Sequence, residues 1–90
     1  NTDVLITHGP PATILDYTER DKINVGCVDL FHKIKEVKPK ISVFGHIHEG
    51  YGYRDIYGTL FINASTCNLR YQPTNPPVSV KFSKKSIRFI

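Results

Sequence analysis

Three of the four histidines in this 90-residue chain, His8, His46 and His48, stand where an imidazole can do chemistry. His8 follows a short apolar run, Asp3 to Thr7, and opens the loop Gly9-Pro10-Pro11; His46 and His48 follow a second run, Ile41 to Phe44, and Gly45. A neutral imidazole offers one nitrogen lone pair to a divalent cation while a neighbouring acceptor fixes its other ring nitrogen. The i, i+2 spacing of His46-Ile47-His48 turns both rings to one side if the backbone is extended, and Gly45 allows a tight backbone just before them. Alone, His8 reads better as a hydrogen-bonded structural histidine. The pair after a glycine favours ligation, and His8, some forty residues upstream with a helix between, strengthens that reading. His32 falls toward the polar side of the helix and reads as an ordinary surface histidine.

The elements around these residues follow from pattern. Asp3 to Thr7 reads as a buried strand emptying into a loop that paired prolines keep from being helical. Thr13 to Asn24 is polar and uneven, and its pattern assigns no element. Cys27, Leu30, Phe31, Ile34 and Val37 recur at helical spacing, leave Asp29, Lys33, Lys35 and Glu36 for water, and stop at Pro39. Ile41 to Phe44 is the second strand. Tyr51 to Asp55 and Thr59 to Asn63 form an expected hairpin about Tyr57-Gly58, and Val78 to Phe82 with Ser86 to Ile90 form another. Both histidine segments thus lie past the carboxyl ends of apolar strands, the edge where layered α/β proteins form ligand crevices.

Composition adds bounds. The chain allows one domain of modest independent stability. Its hydrophobic content of 40% is ordinary for a globular protein, and no apolar run approaches a membrane span. A soluble, cytoplasmic protein is expected, since nothing at the N-terminus resembles a secretory leader and Cys27 and Cys67 suit neither a disulfide framework nor a structural zinc site. The net charge of +4 gathers at Lys33, Lys35, Lys38 and Lys40 and at Lys81, Lys84, Lys85 and Arg88. Neither group is interleaved with stacking aromatics, so a solvated helix face and hairpin tip are expected rather than a nucleic-acid groove.

Leu5 to Pro11 (LITHGPP) and Val43 to Gly52 (VFGHIHEGYG) resemble the last two signature motifs of the calcineurin-like metallophosphoesterase superfamily, an isolated histidine followed by Gly-His-x-His. Gly26-Cys27-Val28, Asn63 to Cys67 (NASTC) and Tyr71 to Pro77 (YQPTNPP) extend the likeness to its metallophosphoesterase-domain branch over nearly the whole chain. The resemblance implies an α/β fold in which residues 1–90 are the C-terminal half of a four-layer αββα sandwich, with a mixed sheet, one main helix and C-terminal hairpins. It implies metal-dependent hydrolysis of phosphoric esters, including phosphodiesters such as cyclic nucleotides. His8 and His46 are expected on one divalent ion and His48 on the other, with His46 and His48 also catalytic. Nitrogen and oxygen ligands favour Mn, Fe or Zn, and two such cations activate water and stabilise charge building on phosphorus. Some relatives carry glycine at the first histidine of Gly-His-x-His, which the family associates with weakened metal binding; this chain has His46.

The superfamily's other ligand motifs, an Asp-x-His, a Gly-Asp-x-x-Asp and a Gly-Asn-His, do not occur in these ninety residues. The resemblance therefore implies completion by an N-terminal half, from the same gene or a second chain. Alone, the segment is expected to be inactive, with sheet edges and apolar faces prone to self-association. Two other classes stay open: a catalytically silent binding or scaffold module on the same fold, and a small stand-alone metal-binding protein using only His8, His46 and His48. Asn63-Ala64-Ser65 is formally a glycosylation sequon but reads as part of a loop lining the phosphate site. Tyr51, Tyr53 and Tyr71 could wall a nucleotide base, though packing across the hairpin is the simpler reading.

Overall fold

A computed structural model of the chain describes residues 2–83 and 86–90; Lys84 and Lys85, the expected tip of the basic hairpin, lie outside them. The elements are β1 (Val4–Ile6), β2 (Tyr17–Thr18), β3 (Ile23–Asn24), α1 (Val28–Val37), β4 (Ile41–Phe44), β5 (Gly52–Ile56), β6 (Thr59–Asn63), β7 (Val80–Phe82) and β8 (Ile87–Phe89). Among the described residues no helix is long and apolar enough to cross a membrane. The fold is α/β, built on one mixed four-stranded sheet of order β1-β4-β6-β5. β1, β4 and β6 run parallel, and β5 returns antiparallel to β6.

The strand patterns explain the layering. All five residues of β6 are buried, as a strand covered on both faces requires. Successive side chains alternate across it. Phe61 joins Ile14, Ile34 and Phe44 under α1, with Leu30 and Phe31 packed against them. Leu60 and Ile62 join Ile41 on the opposite face, where Val80 and Phe82 of β7 and Ile87 of β8 cover them. Each such apolar side chain contributes about 1.5–3 kcal/mol by leaving water, so the sheet is held between a helix and a hairpin. The β5–β6 turn places Tyr57 and Gly58 both at positive φ, 52° and 82°, which suits the right-handed twist of a two-residue hairpin.

The helix forms where its periodic residues predict. It begins one residue later, because Cys27 is its cap: the backbone there is extended and the thiol accepts from the Leu30 N–H at 3.4 Å. Lys38 ends it in a left-handed conformation, donating its N–H to the Ile34 carbonyl at 2.8 Å, and Pro39 follows. Cys27 is exposed and not part of the apolar stripe, since a cap residue lies outside the helical repeat. A second expectation also fails. β1 is not a buried strand but a sheet edge, with Val4 41% and Ile6 76% exposed.

The unassigned stretch from Thr13 to Asn24 folds about a single carboxylate. Asp16, 1% exposed, accepts from the N–H groups of Thr13 and Gly26 at 2.8 Å each and from the Asn24 amide at 2.6 Å. The β2–β3 hairpin hangs from it. Charge-assisted bonds of this kind satisfy a buried carboxylate, but they depend on tertiary closure and leave no period in the sequence. Nearby, the Ala12 N–H donates to the Cys27 carbonyl and the Cys27 N–H to the Pro10 carbonyl, 3.0 Å each, drawing Gly26 onto Pro11. A β-carbon on Gly26 would overlap the Pro11 backbone, whereas one on Gly9 would meet nothing within 4 Å. Gly26→Ala is therefore expected to lower unfolding free energy by about 1–3 kcal/mol, and Gly9→Ala by less than about 0.5 kcal/mol, read from urea midpoints.

Candidate metal centre

Sheet register brings the first two histidines together. Ile6 lies opposite Val43, and the ladder continues past the strand ends: Thr7 N–H donates to the Val43 carbonyl at 2.9 Å and Gly45 N–H to the His8 carbonyl at 3.0 Å. His8 and the residues after Gly45 are thereby neighbours. His8 Nε2 and His46 Nδ1 lie 3.2 Å apart, with ring centroids 4.6 Å apart. Both side chains stand at the exposed carboxyl edge of the parallel strands.

The local backbone differs from the extended run that the i, i+2 spacing presupposes. His46 has φ 68°, a left-handed conformation uncommon outside glycine. Gly45 has no positive φ, so the strain lies on the histidine rather than on the glycine before it. After extended Ile47, a single 3-10 turn runs from His48 to Gly50. The twist sends the two rings to different neighbours. His46 meets His8, while His48 Nδ1 lies 3.0 Å from the Asn68 carbonyl and its ring stands edge-on to Tyr71. Among the described residues, no three of His, Cys, Asp and Glu cluster as one cation site. The structure therefore joins His8 to His46 and holds His48 apart from that pair. His32 is exposed on the helix, 5.7 Å between its ring centroid and that of Phe31.

The donor set suits divalent cations. A separation of 3.2 Å is about that of two adjacent nitrogens each roughly 2.0–2.1 Å from a shared ion. Only a proton or a cation lets these two lone pairs face one another. At His48, a proton on Nδ1 donated to Asn68 leaves the Nε2 lone pair free, the tautomer and ring orientation that metal-binding histidines share. Beside His48 opens a cavity of about 470 Å³ lined by Glu49, Tyr51, Asn68, Leu69, Arg70 and Asn75. Arg70 gives it a cation.

Asn63 is the residue whose role sequence reasoning missed. It ends β6, as the Thr59 to Asn63 strand pattern predicts, and is fully buried rather than part of the loop that follows. Its amide nitrogen donates to the Leu15 carbonyl at 3.1 Å and the Ile47 carbonyl at 2.9 Å, and its oxygen accepts from the Ser65 N–H at 3.1 Å. Ile47 sits between the two histidines, so this amide anchors their loop to the sheet. Gly50 makes room: a β-carbon there would overlap the Leu15 carbonyl and lie 2.7 Å from the Asn63 amide nitrogen. An amide so enclosed is no glycan acceptor in the folded protein; the strand pattern and the NASTC segment marked Asn63 without showing its bonds.

With this geometry established, relatives give the family. A metallophosphoesterase domain-containing protein 1 of Homo sapiens is 48% identical over 79 residues, 87% of this chain and 24% of that protein, and its Mus musculus counterpart matches equally. A UPF0046 protein of Caenorhabditis elegans is 37% identical over 87 residues, 97% of this chain and 29% of that protein. The chain belongs to the metallophosphoesterase-domain branch of the metallophosphoesterases. No family model matches it. The chain spans about a quarter of the length of these relatives.

Asn63→Ala is expected to cost at least about 2 kcal/mol, because it takes a partner from the Leu15 carbonyl and the Ser65 N–H and leaves the Ile47 carbonyl with the Gly50 N–H alone. Gly50→Ala is expected to destabilise comparably by displacing Leu15. Urea denaturation measures both; a loss under 0.5 kcal/mol for Asn63→Ala would remove the anchor assigned to it.

Proposed function

We propose that this segment is the C-terminal part of a phosphoesterase domain that hydrolyses phosphoric esters, in particular phosphodiesters such as cyclic nucleotides, with two divalent ions. The observation carrying this reading is the 3.2 Å approach of His8 Nε2 and His46 Nδ1 at the carboxyl edge of the parallel strands. In the proposal His8 and His46 hold one ion and His48 holds the other, with Mn, Fe or Zn the metals that imidazole and oxygen donors suit. The bound pair of cations would supply activation of water and charge stabilisation at phosphorus. The chain's own residues do the rest. Asn63 fixes the loop carrying His46 and His48 against β6. Asn68 holds the His48 ring through Nδ1, which leaves Nε2 for a ligand, and Arg70 brings positive charge to the adjoining cavity.

The proposal includes an N-terminal half that completes a four-layer sandwich. The exposed edge strand β1, with Val4 and Ile6 open to solvent, suits pairing with a further strand. That edge also underlies the expected self-association of the isolated segment. A cytoplasmic location belongs to the same reading, in keeping with the free thiols of Cys27 and Cys67.

Activity of the complete protein tests the function. With Mn²⁺ it is expected to hydrolyse bis-p-nitrophenyl phosphate, to lose that activity on treatment with EDTA, and to regain it when Mn²⁺ is restored. His46→Ala is expected to reduce kcat/KM by at least about 100-fold, while His32→Ala leaves it within twofold. A His46→Ala rate equal to wild type would exclude this site as the source of hydrolysis, and a metal-loaded wild type without activity would favour a catalytically silent scaffold.

A further inference from the structure

Four tyrosines follow the histidine loop; Tyr57 sits in the β5–β6 turn, and the structure gives the other three different work. Tyr53 packs on Phe89, with ring centroids 4.3 Å apart. Tyr51 donates its hydroxyl proton to the Pro76 carbonyl at 2.5 Å. Tyr71 is spent on neither kind of contact. It is 79% exposed, yet its ring stands at 84° to the His48 imidazole with centroids 5.3 Å apart.

That position is built rather than incidental. Tyr71 has φ 61°, a backbone conformation that bulky residues seldom adopt and that persists only where its surroundings enforce it. Asn68 enforces it. The Asn68 side-chain oxygen accepts from the N–H groups of Arg70 and Gln72 at 2.8 and 3.1 Å, and its amide donates to Gln72 Oε1 at 3.0 Å. The Asn68 N–H donates to the Gln72 carbonyl at 2.9 Å. Its own carbonyl then takes both the Tyr71 N–H and His48 Nδ1, each at 3.0 Å. One oxygen thus ties the tyrosine backbone to the histidine ring. Because the tyrosine is exposed, burial of apolar surface does not offset the strain. An aromatic face held open beside a candidate metal ligand is suited to a planar ligand instead, since any ring can stack on it regardless of its hydrogen-bonding edge.

We infer that Tyr71 is a specificity-determining residue, whose ring stacks on the aromatic group of a phosphoric ester, a nucleobase or phenyl ring, while the phosphoryl group lies toward His48. The inference rests on the phosphoesterase reading and deepens it by naming aromatic esters as the preferred class.

Phosphonates separate the two claims, because they carry the anion without a hydrolysable ester bond. Calorimetric titration of the complete, Mn²⁺-loaded protein with phenylphosphonate and methylphosphonate is expected to show about tenfold tighter binding of the phenyl compound. Tyr71→Ala should bring that ratio close to one while leaving methylphosphonate affinity within twofold. Tyr71→Phe should keep the ratio, and Tyr71→Leu, which retains apolar bulk without a π face, should lose most of it. An unchanged ratio in Tyr71→Ala, an equal loss for both ligands, or a full ratio in Tyr71→Leu overturns the stacking role and leaves the phosphoesterase reading standing. Failure of both phosphonates to bind wild-type protein overturns the phosphoesterase reading itself, and the stacking role with it.

Discussion

The amide of Asn63 is the contact on which the arrangement of the histidines depends. It lies at the end of the most deeply covered strand, where water cannot replace a missing partner. Its two N–H bonds go to carbonyls of two different loops, at Leu15 and Ile47. The Ile47 carbonyl also takes the Gly50 N–H at 3.0 Å, so the 3-10 turn closes on the same oxygen. A buried amide tolerates few alternative placements of its partners. The rigid sheet therefore dictates where Ile47 sits, and Ile47 dictates where the rings on either side of it emerge.

Strain is placed at the same spot. His46 and Tyr71 both carry left-handed backbones beside the candidate centre. Of the other non-glycine residues with positive φ, Lys38 ends α1, Tyr57 lies in the β5–β6 turn, and Thr13 and Leu15 lie in the loop around Asp16. A left-handed residue costs on the order of 1–3 kcal/mol. At His46 that cost is met by bonds on either side: Gly45 N–H to the His8 carbonyl, and Asn63 to the Ile47 carbonyl. At Tyr71 it is met by the Asn68 loop. Side chains held this way need little reordering when a ligand arrives, which is what makes a site effective.

Regular elements were legible in the sequence because their signals are local. The α1 stripe, the Ile41–Phe44 run and the β5–β6 hairpin follow directly from periodicity and turn residues, and the family followed from Thr7-His8-Gly9 and Gly45-His46-Ile47-His48. What escaped notice depends on partners far away in the chain. Asp16 organises its loop only once Asn24 and Gly26 close on it, and Asn63 lies 48 residues from one of its acceptors. The i, i+2 spacing singled out His46 and His48 on the assumption of an extended backbone, and the left-handed turn at His46 sends their rings to different neighbours. β1 was misread for a related reason. An apolar run fits a covered strand or an edge awaiting a neighbour equally well.

Charge sets the last constraint on the candidate centre. The histidines offer neutral donors, and two divalent cations held by neutral donors alone would repel one another strongly in a site of low dielectric. The carboxylates nearest this region are already committed. Glu49 Oε2 accepts the Glu19 N–H at 3.0 Å, and the Asp16 carboxylate is buried under three bonds. Withdrawing Asp16 would undo the loop that it organises beside the histidine turn. The proposed dinuclear centre would need negative charge that the buried Asp16 carboxylate, held by three bonds, does not offer. In the proposed reading it would come from a further strand paired with the open edge of β1, whose carboxyl end presents His8 to His46.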